Sequence, residues 1–306
     1  MVRAAVLGHP IAHSLSPVLH RAAYAELGLD WTYDAIDVTE AELPGLVRGL
    51  DATWAGLSLT MPLKQAVLPL VDHVEPLAEV VGAVNTVVVQ RGGARPTLVG
   101  ANTDVHGIAA ALAEAGAGAA VGADDRGALA GLGQPGEVGS AVVLGAGATA
   151  ASALAGLAHL GTTASTLLAR SVARAGGTLR AAHRMGVDTT VRTLAPVDRA
   201  LEFIRAAPVV VSTLPPGAAD ELAGALVRAS LPVRGVLLDC AYAPRPTALV
   251  AAWRAAGGRA VTGERMLLHQ AGEQVRLMTG APAPLAAMDR ALTGALDAGA
   301  RSATTR

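Results

Sequence analysis

From Val138 to Ala169 the chain contains no Asp, Glu, Lys or Arg. A run of that length could cross a bilayer, which takes ~20 apolar residues. Its first half, however, is broken by Gly145, Gly147 and Thr149, and its second by His159 and the cluster TTAST at 162–166. AVVLG, GAGATA and the small-residue stretch after them read better as a strand, a tight turn and a helix. A strand this apolar needs cover on both faces, so the chain around it should supply a layered α/β fold.

The remaining sequence supplies those layers. AAVLG at 4–8, WTYDAIDV at 31–38, WAGLSLT at 54–60 and AVNTVVVQ at 83–90 have strand character. SPVLHRAAYAELG at 16–28 reads as a helix with Ser16 at the N-cap, Pro17 at N1 and Gly28 at the C-terminal cap. DVHGIAAALAEAG at 104–116 is a second helix, with Asp104 in the cap position. Residues 117–137, rich in Ala and Gly, form the best linker candidate. Beyond the glycine turn, STLLAR at 165–170, PVVVSTL at 208–214 and GVLLDCAY at 235–242 predict further strands. A closing helix over 264–280 places Leu267, Ala271, Val275 and Met278 on one face.

Hydrophobic residues make up 52% of the 306 and charged residues 16%, enough for a sizeable core. A net charge of −1 leaves no electrostatic footprint for nucleic acid or an anionic membrane. The single cysteine, Cys240, excludes an internal disulfide and fits a reducing compartment. The start MVRAAVLGHP lacks the apolar core of a signal peptide. A cytoplasmic protein is expected, and the scattered histidines offer no metal-ligand spacing.

GAGATA at 145–150 fits G-x-G-x-x-G/A between strand and helix. Gly145 permits the turn, Gly147 lets a pyrophosphate approach the backbone, and Ala150 lets the helix pack closely. The helix N-terminus then offers amide donors and a positive dipole end to phosphate. Alone, such a match also arises by chance in an Ala/Gly-rich chain; the flanking strand argues for the site. A site for NAD usually places an acid about 20 residues on. Here STLLAR ends in Arg170, followed by Ser171 and Arg174, which suit a 2′-phosphate. The plainer alternative is two surface arginines; their position favours NADP.

Lys64, in LSLTMPLK, is the only lysine beside 23 arginines. A guanidinium holds its proton in any protein, whereas an ammonium, with an ordinary pKa of about 10.4, can give it up and retake it. A leftover surface lysine in an Arg-biased chain would read the same way. Its company favours chemistry: Thr60 at a strand end, Asn102, Thr103 and Asp104 at a helix start, and Ser14 and Ser16 where a substrate carboxylate would meet free amides. Ser16 and Asp104 also read as ordinary caps, and Asn85 as a turn residue.

GHPIAHSLSPVLH, LSLTMPLK, GAVNT, GANTD, LGAGATA and MLLHQA, in this order, resemble the shikimate dehydrogenase family over residues 4–290. The resemblance implies an α/β protein of two domains: a substrate-binding catalytic domain at 1–106 and a Rossmann-type NADP-binding domain at 107–263. A helical segment at 264–306 would return to the first. It implies Lys64 as general acid and base, paired with Asp104. Ser14 and Ser16 would bind the substrate carboxylate, while Thr60, Asn85, Asp104 and Gln270 would bind ring hydroxyls or orient the catalytic group. Gly145, Ala146, Gly147, Ala148, Thr149, Ala169, Arg170, Ser171, Arg174 and Gly263 would bind NADP.

Several positions depart from the family pattern. Ser58 stands where the family often has Asn, Ala169-Arg170-Ser171 where it has Asn-Arg-Thr, and Leu238 where some relatives place a substrate-contacting Tyr. Tyr242 on the same segment is not a convincing substitute. The implied function is reversible, NADP-dependent reduction of 3-dehydroshikimate to shikimate, on the route to chorismate and aromatic amino acids, by a monomer or homodimer. Two alternatives stand beside it. A quinate/shikimate dehydrogenase using NAD conflicts with Arg170 and Arg174, and a non-catalytic metabolite binder would have drifted at Lys64 or Asp104.

Overall fold

The structure, a computed structural model, describes residues 1–92, 95–117 and 139–304. Nearly all of the proposed linker 117–137 lies outside them. The chain divides into two compact units, Met1–Thr103 with Leu267–Arg306, and Asp104–Met266. The second division falls inside one helix, Gly263–Thr279.

The first unit is built on a six-stranded mixed sheet. Its strands are β1 (Val2–Gly8), β2 (Trp31–Asp37), β3 (Trp54–Leu59), β4 (His73–Val74), β5 (Thr86–Gln90) and β6 (Thr97–Ala101), in the order β2-β1-β3-β5-β6-β4. β1 pairs in parallel with β2 and β3, and β5 runs antiparallel to β3 and β6. Side chains alternate across a strand, so β1 serves two cores at once. Ala5 and Leu7 join Leu57 and Val87 on one face, while Ala4 and Val6 join Tyr33, Leu268 and Val275 on the other. The expected face of the closing helix is borne out, since Leu267, Ala271, Val275 and Met278 all pack into that second core.

The second unit carries an all-parallel, six-stranded sheet. Its strands are β7 (Ser140–Leu144), β8 (Ala164–Ala169), β9 (Asp188–Thr193), β10 (Val209–Ser212), β11 (Val236–Asp239) and β12 (Arg259–Thr262), in the order β12-β11-β10-β7-β8-β9. Numbered within the unit this is 6-5-4-1-2-3, the doubly wound order whose direction reverses between β7 and β10. Ala141 and Val143 face one core, Val142 and Leu144 the other. The uncharged run is thus shared among β7, the helix Ala148–His159 and β8. Among the described residues no helix is long and apolar enough to cross a membrane.

Two expected caps are corrected. The helix at Ser16–Glu26 has Leu15 at its N-cap, so Ser16 is its first residue and Pro17 its second. Ser14 takes over the capping work, its Oγ accepting the Ser16 amide at 3.3 Å. Likewise Asp104 is the first residue of its helix and not the one before it. Gly28 does close the first helix, at φ +66°, where the Leu29 amide reaches the Tyr24 carbonyl at 2.9 Å.

Candidate active site

In the first unit the parallel strands β1, β2, β3 and β6 end on one edge of the sheet, and the antiparallel β5 begins there. The register sets Gly8 beside Asp37, Leu7 beside Leu59, and Thr86 beside both Ser58 and Ala101. Every site residue expected in the first hundred leaves the sheet at this edge. Ser14 and Ser16 follow β1, Thr60 and Lys64 follow β3, and Asn85 precedes β5. Asn102 and Thr103 follow β6. Ligand sites of open α/β sheets form at such carboxyl ends.

Thr60 is fixed by its backbone: its amide donates to the Leu7 carbonyl at 2.9 Å and its carbonyl accepts from Leu63 at 2.8 Å. Lys64 lies in the single turn Leu63–Ala66, anchored by buried Leu63 and by its carbonyl, which accepts from the Val84 amide at 2.8 Å. The lysine is half-buried.

Asn85 is buried and saturated by neighbours. Its Nδ2 donates to Thr103 Oγ1 at 3.0 Å and to Gln270 Oε1 at 3.3 Å. Its Oδ1 accepts from the Thr103 amide and from Thr86 Oγ1, both at 2.8 Å. Gln270, expected from the closing helix, thereby joins Asn85, and its Nε2 donates to the Leu267 carbonyl at 3.0 Å. Ser14, Ser16 and Thr60 differ from this pair: among the described residues their hydroxyls donate to no protein acceptor.

Beneath them lies a buried polar network that the sequence reading did not anticipate. Gln274, one helical turn after Gln270, accepts at Oε1 from Ser58 Oγ at 2.8 Å and from His20 Nε2 at 3.1 Å. Its Nε2 donates to Thr86 Oγ1 at 3.0 Å and to the Asn85 carbonyl at 3.3 Å. Tyr33 donates to Ser58 Oγ at 2.6 Å and stacks on the His20 ring at 3.9 Å. Burial pushes the His20 pKa down to about 3, so the ring is neutral. With its proton on Nε2, Nδ1 accepts from Tyr24 Oη at 3.4 Å. The one signal in the sequence was the departure at Ser58, the residue that bonds both Gln274 and Tyr33.

In the second unit the glycine turn follows β7 at the point where strand order reverses. Gly145 has φ +109°, and a Cβ there would strike Thr213 Oγ1, which donates to the Leu144 carbonyl at 2.8 Å. Glycine is therefore required twice over. Gly147 is the N-cap of the helix Ala148–His159, with no side chain capping it, and a Cβ there would meet nothing within 4 Å. The chain's own packing does not demand a glycine at 147, so the open space and bare amides of Ala148 and Thr149 fit a phosphate group. Thr178 Oγ1 holds the Ala146 carbonyl at 2.9 Å.

β8 ends at buried Ala169, and Arg170, Ser171 and Arg174 follow at the same sheet edge. Both arginines are exposed, and neither meets a carboxylate among the described residues. Gly263 opens its helix where a Cβ would collide with the Cys240 carbonyl, so its glycine is set by backbone approach. Leu238 is fully buried in the core and presents nothing to a ligand. Asp239 is buried beside it, its carboxyl raised by burial and accepting from Thr247 Oγ1 at 2.7 Å. Asp104 is buried at the start of its helix.

A doubly wound unit with a bare glycine turn, joined to a unit gathering hydroxyls, an amide and a lone lysine, defines a two-unit α/β protein of the dinucleotide-binding class. Residues 6–87 match the family described as shikimate dehydrogenase substrate binding domain, and residues 263–293 the shikimate 5′-dehydrogenase C-terminal domain. The chain is 37% identical over 295 residues to a shikimate dehydrogenase (NADP(+)) of Rubrobacter xylanophilus, covering 94% of each. The crystal structure of Mycobacterium tuberculosis shikimate dehydrogenase superposes with a TM-score of 0.79 at 41% identity, covering 96% of this chain and 100% of that one. A Thermus thermophilus shikimate 5-dehydrogenase in complex with NADP(H) and shikimate gives 0.73 at 32% identity, covering 97% and 100%. The chain belongs to the shikimate dehydrogenase family.

Proposed function

We propose that this chain is an NADP-dependent shikimate dehydrogenase, interconverting 3-dehydroshikimate and shikimate in the biosynthesis of chorismate and aromatic amino acids. The observation that carries the reading is the single sheet edge to which Ser14, Ser16, Thr60, Lys64 and Asn85 all belong. Relatives matched over nearly their full length bear that name. Thermus thermophilus shikimate 5-dehydrogenase, a relative in structure, holds NADP(H) and shikimate.

The residues divide the work by chemistry. Ser14 and Ser16, with hydroxyl protons unspent on the protein, bind the substrate carboxylate. Thr60 supplies a further hydroxyl to the ring. Asn85, saturated within the protein, orients Gln270, whose second Nε2 proton remains for a ring hydroxyl; an orientation fixed before substrate arrives lowers the ordering cost of binding. Lys64 gives a proton to the carbonyl oxygen as charge develops there and takes it back in the reverse direction. Asp104 is the acid that the family resemblance pairs with that lysine. Such acid–base help contributes about 10²–10⁴-fold in rate. The substrate domain of this reading is 1–106 with the returning segment 264–306, and the NADP domain is 107–263.

When bound, NADP would supply or accept the hydride. Gly145 to Thr149 would hold its pyrophosphate, Arg170, Ser171 and Arg174 with Ala169 would hold its 2′-phosphate, and Gly263 would lie on the nicotinamide side. An NAD site would want an acid at the end of β8, and Arg170 stands there instead.

The test is the rise in absorbance at 340 nm with shikimate or quinate, each offered with NADP⁺ or NAD⁺. Fast turnover of shikimate with NADP⁺ is expected. Turnover mainly of quinate with NAD⁺ would move the chain to the quinate/shikimate dehydrogenases, and silence with all four pairs would make it a binder.

A further inference from the structure

We infer that Asp37 is the positioning residue for the carboxylate-binding hydroxyls, holding the loop His9–Leu15 so that Ser14 and Ser16 are presented together. The inference rests on the reading of those serines given above. Asp37 ends β2, where the register sets it beside Gly8, and the Val38 amide donates to the Gly8 carbonyl at 3.0 Å. Both of its carboxylate oxygens are committed to the loop: Oδ1 accepts from His9 Nδ1 at 2.6 Å and Oδ2 from the Ile11 amide at 3.1 Å.

From there the loop is linked bond by bond to the serines. The Ile11 carbonyl accepts from the Ser14 amide at 3.0 Å, and Ser14 Oγ accepts from the Ser16 amide at 3.3 Å. The last bond uses the acceptor side of Ser14 and leaves its proton for a ligand. Two further anchors fix the loop's other side. The His9 amide donates to the Met61 carbonyl at 3.1 Å, and the Ile11 side chain is buried in the core cluster that holds Ala4, Leu19 and Tyr24. Met61 follows Thr60 directly, so the loop carrying the serines is tied to the segment carrying Thr60. Asp37 thus closes a frame in which three ligand hydroxyls share one set of backbone bonds.

This role is separable from folding, because His9 and Asp37 are both about half exposed, at 55% and 51% of the side chain. The carboxylate itself lies outside the core, and its one bond to a core residue is to the Ile11 amide. Loosening the loop frees two hydroxyls to wander, and that cost falls on substrate binding, not on the chemical step.

The experiment compares wild type with Asp37→Ala and Asp37→Asn, reading kcat and KM for shikimate and KM for NADP⁺ alongside the thermal midpoint. Asp37→Ala is expected to raise the shikimate KM about 5–50-fold, the loss of charge-assisted hydrogen bonds, with kcat within about threefold. The NADP⁺ KM and the midpoint should stay near wild type. Asp37→Asn, which keeps one acceptor, should lie between. An unchanged shikimate KM would overturn the inference, and so would a lower one, since Asp37 would then act as a charge repelling the substrate. A fall in kcat, in NADP⁺ affinity and in midpoint together would assign Asp37 a general structural role and overturn it too. Wild type that neither turns over shikimate nor binds it by calorimetry would instead sink the functional reading, and the inference with it.

Discussion

Ser58 Oγ donates to Gln274 Oε1 at 2.8 Å although the two residues stand 216 positions apart in the chain. Through this bond the closing helix is keyed to the end of β3, and the same amide of Gln274 reaches His20, Thr86 and the Asn85 carbonyl. One buried side chain therefore satisfies four partners and sets the backbone of Asn85, the residue that orients Gln270.

Gln274→Leu keeps the volume and removes all four bonds. Leaving buried polar groups unpaired costs about 1–3 kcal/mol each, partly relieved by rotation of the hydroxyls, so a loss of about 2–5 kcal/mol is expected. Urea unfolding followed by circular dichroism measures it. A loss below about 0.5 kcal/mol would mean the network contributes little.

His20 gives the fold an acid limit. The ring is neutral in the folded chain, with its pKa lowered from the ordinary 6.5 to about 3 by burial. Below pH 6.5 the unfolded chain takes up a proton that the folded chain refuses. Stability at neutral pH is therefore lost as pH falls from about 6.5 toward 3, with a limiting slope of about 1.4 kcal/mol per pH unit from this one group. His20→Gln should flatten that part of the profile, measured as unfolding free energy against pH.

Gly145→Ala places a methyl against Thr213 Oγ1 at a φ of +109°. Backbone strain of about 1–2 kcal/mol adds to the collision, for a total of about 2–4 kcal/mol. Gly147→Ala meets only open space within the chain, so it should leave the thermal midpoint unchanged while raising the KM for NADP⁺. Comparing midpoint and KM for the two variants separates a glycine kept for the fold from one kept for a ligand.

Arg170→Ala combined with Arg174→Ala removes the guanidiniums proposed to hold the 2′-phosphate. The KM for NADP⁺ should rise about 10–100-fold, while that for NAD⁺ changes by less than about threefold. Equal changes with both cofactors would place the arginines elsewhere.

How much of this was legible in the sequence depended on where each residue sits. The central strands β1, β3, β7, β10 and β11 were readable because both of their faces are buried and their letters are apolar. The edge strands β9, DTTVRT, and β12, RAVT, were not, because each is paired on one side only and carries polar side chains outward. The two-residue β4 has no pattern to read. Ser14 was expected to bind and not to cap; a hydroxyl two residues before Ser16 carries no mark of which amide it will meet. The network of Tyr33, His20, Ser58 and Gln274 was hidden for a different reason. Its members come from β2, the first helix, β3 and the helix Gly263–Thr279, and only the folded sheet edge brings them together. What the motifs did reveal, the lone lysine and the glycine turn, are places where chemistry restricts the residue type more tightly than packing does.

Lys64→Arg tests the proposed chemistry most directly, since it keeps the charge and removes the exchangeable proton. The measurement is kcat for shikimate oxidation with NADP⁺, beside shikimate binding by calorimetry. A fall in kcat of about 10²-fold or more, with binding within a few-fold of wild type, is the predicted result. Near-wild-type turnover by the arginine variant would contradict proton exchange at Lys64.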